Sequence, residues 1–124
     1  MSSVKTVPVT LQVKQSDIES LIISAIESSC GSRYWFQKVD CNYDGDYFLA
    51  PFEGSSINFK LIEPIDNTSS KIDYVLDFDS VNRGLEIMAE KCPFQFSRIM
   101  DESADAITGD VFIQCCLFGD VFFS

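Results

Sequence analysis

The sequence contains no histidine. General acid and base chemistry near neutral pH most often recruits that side chain, and a nucleophilic cysteine without it needs another activating base. The five cysteines (Cys30, Cys41, Cys92, Cys115, Cys116) are odd in number, include an adjacent pair and form no C-x-x-C spacing, so zinc has no paired ligand set and no disulfide framework is indicated. They read as reduced thiols, with Cys30 and Cys92 as small core residues. No P-loop, G-x-G-x-x-G or G-x-S-x-G occurs. The expectation is a protein that is not an enzyme and carries no metal or cofactor. Carboxylate pairs remain, but among nineteen Asp and Glu some fall close together by chance.

Basic residues are scarce: nine Lys and Arg against nineteen Asp and Glu give a net charge of −10. Such a surface repels phosphate backbones and anionic membranes, which excludes direct nucleic-acid binding, and it attracts basic protein surfaces. Long apolar runs are missing as well. Nothing reaches the roughly 18 residues of a membrane span, and the N-terminal residues lack the apolar stretch of a signal peptide. A soluble, cytoplasmic protein is the expectation.

What is present suffices for a core. The chain has 124 residues, 46% of them apolar and 13% aromatic, with only 4 Pro and 6 Gly, which predicts one folded domain over 1–124. Residues 4–13 alternate Val7, Val9, Leu11 and Val13 with polar positions, which predicts a strand that Pro8 makes an edge strand or its irregular start. Ser16 and Glu19 form a capping-box pattern, with Asp17 in the first turn. Ile18, Leu21, Ile22, Ala25, Ile26 and Cys30 then follow helical spacing up to Gly31. Tyr34–Val39 and Tyr47–Leu49 flank the turn-rich 40–45 and predict a hairpin.

Alternation predicts further strands over Ile57–Ile62 and Ile72–Phe78, with Asp79 as N-cap of a second helix. That helix carries Val81, Leu85, Met88 and Cys92 on one stripe and ends at Pro93. Residues 94–100 add a helical turn or two. The nearly all-apolar 111–118 fits a buried helix or a buried strand by periodicity. Thr108 as N-cap, Asp110 in the first turn and Gly119 as C-cap favour the helix, leaving Val121–Phe123 as a short closing strand. The predicted fold is α+β: a mostly antiparallel sheet of about four or five strands, two main helices and a C-terminal helix.

One local motif stands out. Asp40-Cys41-Asn42-Tyr43-Asp44-Gly45-Asp46 matches the first half of a calcium loop, D-x-[DN]-x-[DN]-G. Position 12, where a bidentate Glu belongs, is Pro51. A solvated acidic turn explains the residues without a metal; a weak cation site and a partner-binding loop are the alternatives.

The acidic residues are grouped. Between Val39 and Phe59 there is no Lys or Arg, while Asp40, Asp44, Asp46 and Glu53 occur; after Arg98 there is again none, while Asp101, Glu102, Asp105, Asp110 and Asp120 occur. Glu63, Asp66, Asp73, Asp77 and Asp79 are relieved only by Lys71. Grouping suits either a coat that keeps the protein soluble or carboxylates presented to a basic groove at phosphate-like spacing. For the second reading the partner-binding residues are Asp40, Asp44, Asp46, Asp101, Glu102 and Asp105.

The stretch from Thr108 to Phe123, together with Tyr34-Trp35, resembles a group of small proteins encoded by bacteriophages and prophages. In that group an aromatic pair follows the first helix and an A-x-x-x-D-x-x-x-Q-x-x-x-F-G frame closes the chain. Ala106, Asp110, Gln114, Phe118 and Gly119 match the frame. The resemblance implies a phage-derived protein acting in the host bacterial cytoplasm, and it brings no catalytic residues and no cofactor. In size and charge such proteins are similar to anti-CRISPR inhibitors of host defence, an analogy of class.

The expected function is therefore a non-enzymatic nucleic-acid mimic. It binds and inhibits a basic host protein or ribonucleoprotein, a CRISPR effector in particular. The alternative is a phage accessory or scaffold module that self-associates through apolar surface including Val121, Phe122 and Phe123. A third class, a ligand sponge or enzyme, requires a pocket with converging polar groups.

Overall fold

The computed structural model describes residues 11–27, 35–65 and 70–123. Along the chain run α1 (Gln15–Glu27), β1 (Phe36–Cys41), a 3₁₀ helix (Tyr47–Phe52), β2 (Ile57–Leu61), β3 (Asp73–Leu76), α2 (Phe78–Lys91), α3 (Pro93–Met100) and α4 (Ala106–Phe118). The fold is α+β, and among the described residues the sheet has three antiparallel strands in the order β1-β2-β3.

Among the described residues three of the expected four or five strands are present, for local reasons. Tyr47–Leu49 is not a strand but the start of the 3₁₀ helix, which runs through Pro51; proline supplies no ladder N–H and its fixed φ suits a helical turn. The hairpin therefore closes between β1 and β2. Residues 11–13 carry no strand, while residues 4–10 of the expected edge strand, Cys30 and Gly31 lie outside the described residues. Val121–Phe123 is not a strand either, because its backbone is claimed by a side chain of α4, as described below.

Helix starts are also displaced. The cap of α2 is Asp77, whose Oδ1 accepts from the Ser80 amide at 2.8 Å, rather than Asp79, which lies in the first turn. Phe78 leaves the β3 alternation and opens that helix, half-exposed. Asp105, not Thr108, caps α4: Asp105 Oδ1 accepts from the Thr108 amide at 3.0 Å, and Thr108 Oγ1 accepts from the Asp105 amide at 3.2 Å. The Asp77 and Asp105 carboxyls are held below the ordinary carboxylate value chiefly by these amides. Helix α1 begins at Gln15 on the Lys14 carbonyl, so Ser16 falls inside the first turn instead of at the cap. Pro93, expected only to end α2, also opens α3 at its first position.

Helix α4 organises the rest. It is a helix, as its flanking residues predicted, closed by Gly119 at φ 75°, and it is buried without a break from Phe112 to Leu117. An all-round apolar helix must be covered on all sides; α1 and α2 pack against it and β3 meets it from the sheet. Two glycines set the approach. A Cβ on Gly84 of α2 would sit 2.8 Å from Cys116 Cα, and one on Gly109 of α4 would sit 2.8 Å from the Leu21 carbonyl oxygen of α1. Arg83 and Lys91 of α2 donate to the Cys116 and Gly119 carbonyls at 3.1 and 3.2 Å, placing positive charge at the negative end of α4.

The sheet turns Phe36, Ile57, Phe59, Leu61 and Leu76 toward the helices. A bulge in β1 between Phe36 and Lys38 makes this possible. With strict alternation Phe36 and Val39 would face opposite sides; the extra residue puts both on the inner face and leaves Gln37 and Lys38 outside. Trp35, 2% exposed, stacks between Phe59 and Phe123 with centroids at 6.2 and 5.8 Å and meets Phe118 edge-on at 5.5 Å.

Candidate functional site

The six carboxylates singled out from the sequence, Asp40, Asp44, Asp46, Asp101, Glu102 and Asp105, are all exposed. They do not meet at one point. Tyr47 Oη donates to Glu27 at 2.5 Å, tying the segment after Asp46 to the C-terminal end of α1. Lys14 contacts Glu102 at 3.9 Å, tying the α3–α4 loop to the N-terminal end. The two groups therefore meet α1 at different places, the second lying alongside Asp17, Ser20 and Ser24.

Nor are all six plain loop residues. Asp40 belongs to β1 and pairs with Lys38 at 3.5 Å. Asp105 is the α4 cap and also takes Arg98 at 3.3 Å. Asp101 Oδ1 accepts from the Ser103 amide and hydroxyl, and Arg98 donates to the Ser103 carbonyl oxygen. These bonds hold the loop in a form that gives Glu102 a φ of 61°. Asp44 and Asp46 have no ion-pair or hydrogen-bond partner for their side chains among the described residues.

The calcium-like segment does not wrap a cation-sized space. Asp40 points from a strand, Asp44-Gly45 is a bend, and Asp46 precedes the 3₁₀ helix without capping it. The Tyr43 ring lies against Gly45, where a Cβ would come within 2.8 Å of Cε2. Among the described residues no group of three or more potential ligands is placed to hold a metal ion.

Asp110, Gln114 and Phe118 of the C-terminal frame do come together. Trp35 Nε1 donates to Asp110 Oδ1 at 2.6 Å. Gln114 Nε2 donates to Asp110 Oδ2 at 3.0 Å and to the Phe123 carbonyl oxygen at 2.8 Å. Gln114 Oε1 accepts from the Phe122 and Phe123 amides, both at 2.9 Å. Gln114 is wholly buried, and all four hydrogen-bonding positions of its amide are used. The carboxamide thus replaces the sheet partner that the expected closing strand lacks. Phe118 packs on Trp35, and Gly119 ends α4. Burial pushes the Asp110 carboxyl above the ordinary value, with the Trp35 and Gln114 bonds opposing the rise.

Cys115 and Cys116 are fully buried on α4. Desolvation, with the neighbouring Cys92 adding to it, pushes the Cys115 thiol up to about 12, and burial drives Cys116 well above its ordinary value. Both are protonated at neutral pH, so neither offers a thiolate.

Two surface features escaped the sequence reading. An open groove of about 860 Å³ runs between the start of α1 and α2, lined by Leu11, Val13, Ile18, Phe52, Phe78, Leu85, Ala89 and Phe96, with Gln15, Asn82 and Glu86 at its polar positions. Its lining comes from four separate stretches of chain, so no local pattern marks it; the one signal is Phe78, placed at a helix start where it stays 52% exposed. Elsewhere, Phe94 and Ile107, 72% and 64% exposed, each precede by one residue the Gln95–Thr108 hydrogen bond that joins α3 to α4. Of the tail residues expected to mediate self-association, Val121 and Phe123 are half-buried against the core and Phe122 is exposed.

Among the described residues no helix is long and apolar enough to cross a membrane. Comparison with family models, with curated proteins and with solved structures finds no match to this chain.

Proposed function

We propose that this chain is a non-enzymatic binding protein whose acidic surface occupies a basic, nucleic-acid-handling host protein or ribonucleoprotein, in the manner of an anti-CRISPR inhibitor. The observation that supports this reading is how the charges are disposed. Lys14, Lys38, Arg83, Lys91 and Arg98 are each held by an acceptor of the chain itself. Asp44, Asp46, Glu53, Glu63, Glu86 and Glu90 are exposed with no such partner among the described residues. The excess negative charge therefore faces outward, where it steers association with a basic surface and is screened by salt.

Because the two acidic groups meet α1 at different places, the complementary surface is an extended channel rather than a single point. The test is electrophoretic mobility of a purified CRISPR effector with its DNA target, with and without this protein. Loss of DNA binding supports the reading; unchanged binding and cleavage overturn it. Asp44→Lys with Asp46→Lys removes inhibition if those carboxylates make the contact.

Self-association is a second reading, favoured by the exposed Phe94 and Ile107 beside the α3–α4 junction. Light scattering that finds a monomer at high concentration counts against it.

A further inference from the structure

We propose that the groove between α1 and α2 is a docking site for an amphipathic, basic α-helix of a partner protein. Its floor is apolar and includes three phenylalanines, Phe52, Phe78 and Phe96. Leu11 and Phe78 are both half-exposed in it, and a contiguous exposed apolar patch marks an interaction site. Glu86 is the single charged residue of the lining, and no Lys or Arg lines it.

The charge has a pattern. On α2 the lining residues Phe78, Asn82, Leu85 and Ala89 fall on one helical face. Asp79, Glu86 and Glu90, spaced seven and four residues apart, form the row beside it. None of these three carboxylates has a cationic partner among the described residues. An apolar floor bordered by an unneutralised acidic row matches an apolar stripe bordered by Lys or Arg.

The occupant's backbone follows from what the groove lacks. No strand contributes to its lining, so an extended peptide would find no sheet edge for its N–H and C=O groups. A helix satisfies its own backbone and can bury its apolar face. From Phe78 to Ala89 the floor is about 17 Å long, which fits about three turns.

This inference does not rest on the acidic-loop reading above, and its test separates the two. The probe is a dye-labelled, amidated peptide of about fourteen residues, with Leu at i, i+4, i+7 and i+11 and Lys along one flank, titrated with the full chain at near-physiological salt. Fluorescence anisotropy should show saturable binding, weakened at least about tenfold by Glu86→Lys with Glu90→Lys and by Phe78→Ser. Asp44→Lys with Asp46→Lys should leave it within about twofold. Circular dichroism and Tm establish that each variant is folded.

Absence of saturable binding overturns the proposal, as does equal binding of the peptide with Glu in place of Lys. So does an equal loss on reversing Asp44 and Asp46, which would mean undirected charge attraction. Two other occupants have their own signatures, and either result overturns the partner helix. If the N-terminal residues of the chain cover the groove, Val7→Asp with Val9→Asp strengthens peptide binding about tenfold or more. If a second copy covers it, sedimentation finds a dimer that Phe78→Ser dissolves.

Discussion

The Trp35 indole donates to the Asp110 carboxylate at 2.6 Å, joining the start of β1 to the second turn of α4 across 75 residues of sequence. The carboxyl is half-buried, and desolvation raises its pKa above the ordinary 3.8 even though this bond and that from Gln114 pull the other way. Between its unfolded and its raised folded value the folded protein holds more protons. The Asp110 contribution to stability therefore declines as pH rises through that window. Asp77 and Asp105, whose pKa values are lowered, behave oppositely: their contribution is present above 3.8 and is lost as pH falls through their folded values.

Asp110→Asn isolates the first effect. Its destabilisation relative to wild type should be largest near pH 4 and shrink toward pH 7, measured by urea unfolding at both. A penalty that grows with pH would show that the carboxylate is stabilised by its donors more than burial penalises it.

Gln114 holds the tail. Gln114→Ala leaves the Phe122 and Phe123 amides and an Asp110 oxygen without this partner and opens a cavity, a loss of about 2–4 kcal/mol. Trp35 is the single tryptophan and stacks on Phe123, so its emission should shift to the red in the variant while far-UV circular dichroism stays near wild type. Gln114→Glu would set a second carboxyl against Asp110; its loss should ease on acidification as the pair takes up a proton.

The frame residues Asp110, Gln114, Phe118 and Gly119 were legible as a spacing but not as a structure. Their partners, Trp35 and the tail backbone, are distant in sequence or lie beyond the helix end. Helix existence was readable where periodicity or end signals were strong, as for Ile18 to Ile26 and for Gly119. Caps lie two or three residues from where the sequence puts them because Asp77 and Asp79, or Asp105 and Thr108, each offer a side-chain oxygen that can accept from a backbone amide, and packing chooses between them. The β1 bulge was invisible because no glycine or proline marks it. The acidic residues were readable as exposed, whereas their separation along α1 depends on the Tyr47–Glu27 and Lys14–Glu102 contacts.

The cysteines give a kinetic prediction. With a pKa of about 12, Cys115 is thiolate in roughly one part in ten thousand at pH 8. Cys116 is fully buried. Iodoacetamide should modify the partly exposed Cys41 long before either, as read by peptide mapping. Labelling of Cys115 and Cys116 should accelerate with urea in step with unfolding. Rapid labelling of either in the native protein would contradict the closed packing of α4.

The glycine contacts give the sharpest test of that packing. In an exposed helix Gly→Ala stabilises by about 1 kcal/mol, so the sign of the change reports whether space exists. At Gly84 the new Cβ would meet Cys116 Cα at 2.8 Å and N at 2.9 Å; at Gly109 it would meet the Leu21 oxygen at 2.8 Å and the Ala25 nitrogen at 3.2 Å. These are backbone atoms of α4 and α1, and a rotamer change cannot move them. Gly84→Ala and Gly109→Ala should each destabilise by about 1–3 kcal/mol net, through separation of the helices. Adding Cys116→Ala to Gly84→Ala removes the sulfur contact but leaves the backbone contact, so it should not restore stability. A stabilised Gly84→Ala variant would mean that α2 and α4 do not approach as closely as the Arg83–Cys116 and Lys91–Gly119 hydrogen bonds require.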